Sequence, residues 1–364
     1  FMVFALVGCS NNEDDNNGGT TGTEDGYKVA VVTDVGQLND GGFNQGTYEG
    51  AVAFAEKNGL SYKYYQPANG SDATDDDRIA AMRQAVEGGA EIVVTPGFLQ
   101  AAALETVAKE NPEVKFVFVD GWNLGLDNVT AISYHEEESG FFAGYAAVMD
   151  GYTKLGGTFG GAGTNAACNR FAYGYVQGMQ AAAAELGTNV EATISFLYGG
   201  SFSASTELQT QISGWYTNGT EVVFACGGSM LQSVKAAAAE TENGKIIGVD
   251  TDQSAESDRV ITSAFKNLSG SVDLTLTKWF EGKWDGELAD KLSNLGVGDE
   301  ATGLPTAEGS WRFENFTVDQ YHEVFAKVAD GSIKIDSDCA DLSTAAAWDG
   351  LKANCPNVTL TLEY

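Results

Sequence analysis

Short apolar runs alternate with longer amphipathic segments from Tyr27 through most of the chain. Lys28–Thr33 (KVAVVT) is a continuous apolar run, the pattern of a strand buried on both faces of a parallel sheet. After a glycine-rich turn, the pattern predicts a helix over Asn44–Asn58, a strand over Ser61–Tyr65 and a helix over Asp75–Glu87. Strand Glu91–Thr95, helix Leu99–Glu110, strand Lys115–Val119, strand Val129–Ser133 and helix Glu136–Met149 follow. The rhythm restarts at Leu155, in a segment containing GGTFGGAG, with a helix over Asn169–Glu185, strand Ala192–Leu197, helix Thr206–Trp215 and strand Glu221–Ala225. Helix Leu231–Glu240, strands Lys245–Val249 and Arg259–Phe265, and a helix over Ser271–Phe280 complete the second series. Beyond Gly282 the pattern loosens, with a further helix near Thr317–Ala329.

Such alternation gives α/β architecture with parallel sheets and right-handed crossovers. Two series of similar make-up predict two Rossmann-like lobes sharing a cleft. The expected division places 27–150 and about 260–284 in the first lobe, and 151–259 and about 285–364 in the second. Ahead of them, residues 1–26 read differently. Phe1–Ser10 is an apolar run ending in Leu6-Val7-Gly8-Cys9, the pattern that bacterial lipoprotein processing reads, with Cys9 as the lipid acceptor. No charged segment precedes it, so the chain is read as starting partway through a signal segment. Ser10–Gly26 holds no apolar residue and is expected to be a flexible tether. These features predict a body anchored by lipid at the outer face of a cell membrane.

Charge narrows the partners. Against 20 Lys and Arg stand 51 Asp and Glu, a formal net charge of −31. Phosphate-rich partners need a basic face, so nucleic acid is excluded. Cys339 and Cys355 close a short loop and are the preferred disulfide pair; Cys168 and Cys226 are either free and buried or paired by the fold. No cysteine or histidine has metal-ligand spacing, and the sequence calls for no metal and no cofactor. GxSxG and GxxxxGK[ST] are both absent, and GGTFGGAG lacks dinucleotide-binding spacing. Binding without catalysis is favoured.

Ligands of open α/β sheets bind beyond the carboxyl ends of the strands. There the chain places Asp34, Asp40, Phe43 and Asn44 after the first strand, and Asp120 after KFVFV. Phe202 follows glycines after ISFLY, Gly227 and Gly228 follow EVVFAC, Asp250 closes KIIGV and Lys266 closes VITSAF. Together they describe a polar slot with aromatic walls, suited to a flat, neutral ligand bearing hydroxyls. Asp40 or Asn44 alone would also serve as a helix cap.

Several ordered motifs resemble the basic membrane protein family of bacterial substrate-binding lipoproteins. These are TDVGQLNDGGFNQGTYEG (Thr33–Gly50), VFVDG (Val117–Gly121), NVTAISYHEEESGFFAGYAA (Asn128–Ala147), YGGSFSAS (Tyr198–Ser205), GVDTDQ (Gly248–Gln253) and VITSAFK (Val260–Lys266). The resemblance implies a type I periplasmic-binding-protein fold, with two lobes joined by hinge strands. It implies a purine nucleoside, such as adenosine, guanosine or inosine, delivered by a monomer to an ABC permease. The purine would lie between Phe43 and Phe202, with Asn44 and Asp120 at the base edge. Asp250 and Lys266 would hold the ribose with Asp34 close by, and Gly227 or Gly228 would admit the sugar to backbone amides. The alternative is a sugar or signalling-ligand receptor of the same fold. The chain departs from the family pattern at Gly121-Trp122, at Cys168-Asn169-Arg170 and in the tail Asp336–Tyr364.

Overall fold

The structure, a computed structural model, describes residues 27–364 apart from Gly36. Cys9 and the expected tether lie outside the described residues.

The first half of the chain runs β1 (Val29–Val32), α1 (Phe43–Lys57), β2 (Tyr62–Tyr65), α2 (Asp75–Glu87), β3 (Ile92–Pro96), α3 (Ala101–Glu110), β4 (Lys115–Val119), β5 (Val129–Tyr134) and α4 (Glu136–Met149). It continues with β6 (Lys154–Phe159), α5 (Ala166–Leu186), β7 (Val190–Ser195), α6 (Thr206–Thr217), β8 (Val222–Cys226), α7 (Met230–Ala239), β9 (Lys245–Asp250) and β10 (Val260–Lys266). The remainder is α8 (Leu268–Phe280), β11 (Lys291–Leu295), β12 (Thr302–Gly303), α9 (Val318–Ala329), α10 (Asp349–Asn354) and β13 (Val358–Glu363).

Two sheets result, ordered β11-β5-β4-β3-β1-β2 and β12-β10-β9-β8-β6-β7-β13. All pairings are parallel except β10 with β12. Alternation along β1 shows why its sequence is apolar throughout. Val29 and Val31 pack toward α1 and α8, while Ala30 and Val32 pack toward α2 and α3. The second sheet is covered by α4, α5 and the tail on one face and by α6 and α7 on the other.

The lobe boundaries differ from those expected. Strand β10 pairs with β9 in the second sheet, rather than belonging with the first lobe. Helix α4, expected to close the first lobe, packs on α5 instead. Their seam is built on glycine: a Cβ on Gly140 or Gly144 would strike the carbonyls of Phe171 and Tyr175, and one on Gly174 or Gly178 those of Glu137 and Phe141. Conversely β11, from the region assigned to the second lobe, pairs with β5 in the first. The chain therefore crosses between lobes at 134–136, 266–268 and 295–302. Periodicity marks each element but carries no information on which sheet takes it.

Strands β11 and β13 were not expected. Both are sheet edges, and β11 (KLSNL) is mostly exposed, so no continuous apolar run marks it. The expected Cys339–Cys355 bridge is not formed, and both are buried free thiols. Cys339 Sγ donates to the Ser337 carbonyl, while its own carbonyl accepts from Asn169 Nδ2.

Candidate functional site

The carboxyl ends of the two sheets converge on a cavity of about 340 Å³. Every residue predicted for the site lines it: Asp34, Asp40, Phe43, Asn44 and Asp120 from the first lobe, and Phe202, Gly227, Gly228, Asp250 and Lys266 from the second.

Asp40 folds the entrance loop onto α1. Its carboxylate accepts from the backbone N–H groups of Gly42, Asn44 and Gln45 at 2.9–3.1 Å, covering the orphan donors of the helix start. Burial nevertheless outweighs these donors and pushes its pKa up to about 6. The capping role weighed from sequence is thus the one its geometry carries. Asn44, in the first turn of α1, is 3 % exposed, and its Oδ1 has no hydrogen-bond partner among the described residues. A buried acceptor of this kind loses free energy until a donor meets it.

Phe43 and Phe202 are half-buried rings on opposite lobes. Phe98 meets Phe202 edge-on, with centroids 6.4 Å apart. Phe202 is seated by glycine: a Cβ on Gly160 would run into its ring, and one on Gly227 would lie 3.1 Å from it. Its φ is +58°, a conformation that costs a bulky residue free energy. Asp120 and Asp250 are also left-handed, at φ +56° and +65°. All three side chains line the cavity.

Lys266 is the electrostatic centre, at 2 % exposure. Its Nζ lies 2.8 Å from Asp120, 3.3 Å from Glu136 and 3.6 Å from Asp250. The rings of Phe43, Tyr134 and Phe171 surround it at 5.0, 5.1 and 5.7 Å. Burial disfavours its charge, but the three carboxylates outweigh burial and hold the ammonium well above its usual range. Asp120 is raised by burial against the pull of Lys266. Asp250, buried and flanked by other carboxylates, is pushed up to about 7 despite Lys266.

Two members of this network were missed from sequence. Glu136 opens α4 and is fully buried, and Arg170 of α5 reaches it at 2.5 Å. Burial opposes ionisation of Glu136, yet Arg170 and Lys266 hold it below the usual carboxylate range. Arg170 belongs to the stretch that departs from the family pattern. Its role arises from the α4–α5 seam, which no local motif announces. The resemblance separates Asp120, at a base edge, from Asp250 and Lys266, at a ribose; the structure brings both aspartates to the Lys266 ammonium.

The lobes also touch at the cleft's rim. Thr251 Oγ1 and Gln253 Nε2 both donate to the Gly41 carbonyl at 2.9 Å. Behind the cleft, Asn169 Nδ2 donates to the carbonyls of Gly163, Cys339 and Ala340, so the C-terminal tail braces the loop that leads into α5.

Comparison with known proteins places this arrangement. The ABC transporter nucleoside-binding protein BmpA of Lactococcus lactis is 29% identical over 318 residues, covering 81% of this chain and 87% of that protein. A CD4+ T-cell-stimulating antigen of Listeria innocua is 26% identical over 351 residues, covering 91% and 94%. Among solved structures, a solute-binding protein of an ABC transporter system from Aeropyrum pernix superposes with a TM-score of 0.73 at 23% identity, covering 91% of this chain and 97% of that one. This likeness gives the fold, a type I periplasmic-binding-protein fold. The sequence model of the family described as "ABC transporter substrate-binding protein PnrA-like" matches residues 27–329, and the chain belongs to that family, Bmp.

Proposed function

We propose that this substrate-binding protein takes up purine nucleosides in the cleft and hands them to its permease. The observation that carries the reading is that two rings, Phe43 and Phe202, one from each lobe, line the cavity together with an unpartnered buried acceptor, Asn44 Oδ1. A purine offers two faces for Phe43 and Phe202, each stack contributing about 1–3 kcal/mol, and ring or exocyclic N–H donors for Asn44. The cluster of Asp120, Asp250 and Lys266 then takes the ribose hydroxyls as one unit, with Asp34 beside it. A carboxylate accepts from vicinal hydroxyls and an ammonium donates to them. Gly227 and Gly228 leave room for the sugar, and Asp40 supports the loop that presents Phe43. The four cleft aspartates disfavour a phosphate, which favours the nucleoside over the nucleotide.

The relative named as a nucleoside-binding protein supports the same ligand class. The proposal includes a monomeric body outside the membrane, held by lipid on Cys9.

Thermal shift against guanosine, adenosine, inosine, cytidine, ribose and galactose tests the ligand. A ligand at a hundred times its Kd stabilises by about 2.7 kcal/mol. Purine nucleosides are expected to raise the melting temperature. Stabilisation by galactose alone would transfer the site to the sugar receptors of this fold.

A further inference from the structure

Two cysteines face the cleft, and the binding roles above use neither. Cys226 ends β8, and Cys168 sits in the first turn of α5, where its N–H donates to Asn165 Oδ1 at 2.8 Å. Both line the cavity, at 1 % and 7 % exposure, and Cys168 is a neighbour of the Cys226 side chain. The backbone explains the meeting: Gly160 N donates to the Cys226 carbonyl at 2.8 Å, and the chain then turns through Gly161–Gly163 into α5. Neither Cys339 nor Cys355 lines the cavity. Burial holds the Cys226 thiol well above its usual range.

We propose that Cys168 and Cys226 are a redox-active dithiol, closing to a disulfide on the cleft wall that weakens ligand holding. The oxidant is an organic disulfide. One cysteine, as thiolate, attacks it and forms a mixed disulfide, expelling the first thiolate. The second cysteine attacks the protein sulfur of that intermediate and expels the other half. The cysteines lose two electrons to the oxidant, and their two protons leave on the two released thiols. An S–S bond of about 2.05 Å is far shorter than a contact between separate thiols. Closing it draws the start of α5 toward the end of β8. Gly227 and Gly228, directly after Cys226, are in contact range of Phe202, so the displacement moves one ring wall.

The test treats the reduced full chain with oxidised glutathione, blocks remaining thiols by alkylation and maps peptides without reduction. The expected product is a Cys168–Cys226 cross-linked peptide. C168S and C226S should instead hold glutathione on the remaining cleft cysteine. Alkylation of both cleft cysteines after treatment would overturn the proposal, as would a Cys339–Cys355 link formed in their place. Guanosine titration then compares the oxidised and reduced protein. At least tenfold weaker binding is expected on oxidation, and none of that loss in C226S; equal affinity in both states would overturn the effect on ligand holding. That effect rests on the nucleoside reading. Failure of the reduced protein to bind guanosine strikes that reading alone, because the peptide map needs no ligand.

Discussion

The α4–α5 seam and the cleft that begins a few residues away show opposite uses of close packing. In the seam, Gly140, Gly144, Gly174 and Gly178 let two backbones touch, and the surroundings are apolar side chains. In the cleft, the close groups are charged: Lys266, Arg170, Glu136, Asp120 and Asp250. Three of the seven non-glycine residues with positive φ among the described residues, Asp120, Phe202 and Asp250, line the cleft. The seam fits two surfaces to one another. The cleft holds strained backbone and incompletely satisfied groups that a ligand can complete. Glu136 and Arg170 stand at the end of the seam nearest the cleft, where Glu136 meets Lys266.

Breaking the charge network should have the largest effect. Lys266→Met leaves Asp120, Glu136 and Asp250 without their shared cation, and removing one partner of a buried ionic cluster costs about 3–5 kcal/mol. Denaturant titration should show that loss of stability. An unchanged midpoint would mean that the cluster adds nothing to the fold.

Next comes the seam. Gly178→Ala places a methyl against the Phe141 carbonyl and should destabilise by about 1–3 kcal/mol through overpacking. Guanosine affinity of the folded fraction should stay at the wild-type value. If affinity falls with stability, seam and cleft are not separable.

Phe202→Ala reverses that pattern. It should weaken guanosine binding by the value of one stack, about 1–3 kcal/mol, with little change in the denaturation midpoint of the ligand-free protein. Isothermal titration checks the first and denaturant titration the second.

The smallest effect is on pH dependence. Asp250 binds its proton more tightly folded than unfolded, so the folded state carries more protons between the ordinary carboxylate range and about pH 7. Its contribution to stability is therefore present at low pH and lost as pH rises through about 7. His135, raised by its hydrogen bond to Glu137, acts with the same sign. Melting temperature should fall from pH 5.5 to 8, and Asp250→Asn should flatten part of that fall. An identical slope in the variant would remove Asp250 as a cause.

Much of the cleft was legible in the sequence because strand ends are legible. An apolar run such as KFVFV or KIIGV marks a buried parallel strand, and the next residue must emerge at the ligand edge of the sheet. Asp120 and Asp250 were found this way, as were Phe43, Phe202 and Lys266 beside theirs. The same reasoning could not find Glu136 or Arg170. Each lies in a helix whose local pattern is unremarkable, and their pairing exists only where α4 and α5 meet. The glycines at spacing of four in both helices were the one available signal. The Cys339–Cys355 expectation failed for a related reason, since short loop spacing says nothing about how two side chains are held.

Local chemistry alone determined the βα alternation, the double burial of the strands, the excess of acidic over basic residues, and the polar and aromatic residues delivered to the strand ends. These depend on periodicities and neighbours within a few residues. Tertiary structure alone decided which lobe received α4, β10 and β11, which carboxylates share Lys266, and which aromatic rings and cysteines line one cavity. Those outcomes depend on contacts between segments distant in the chain, in places more than a hundred residues apart, as between Lys266 and Asp120. Many pairings satisfy the same local pattern, and only the simultaneous packing of both sheets and the glycine seam selects one.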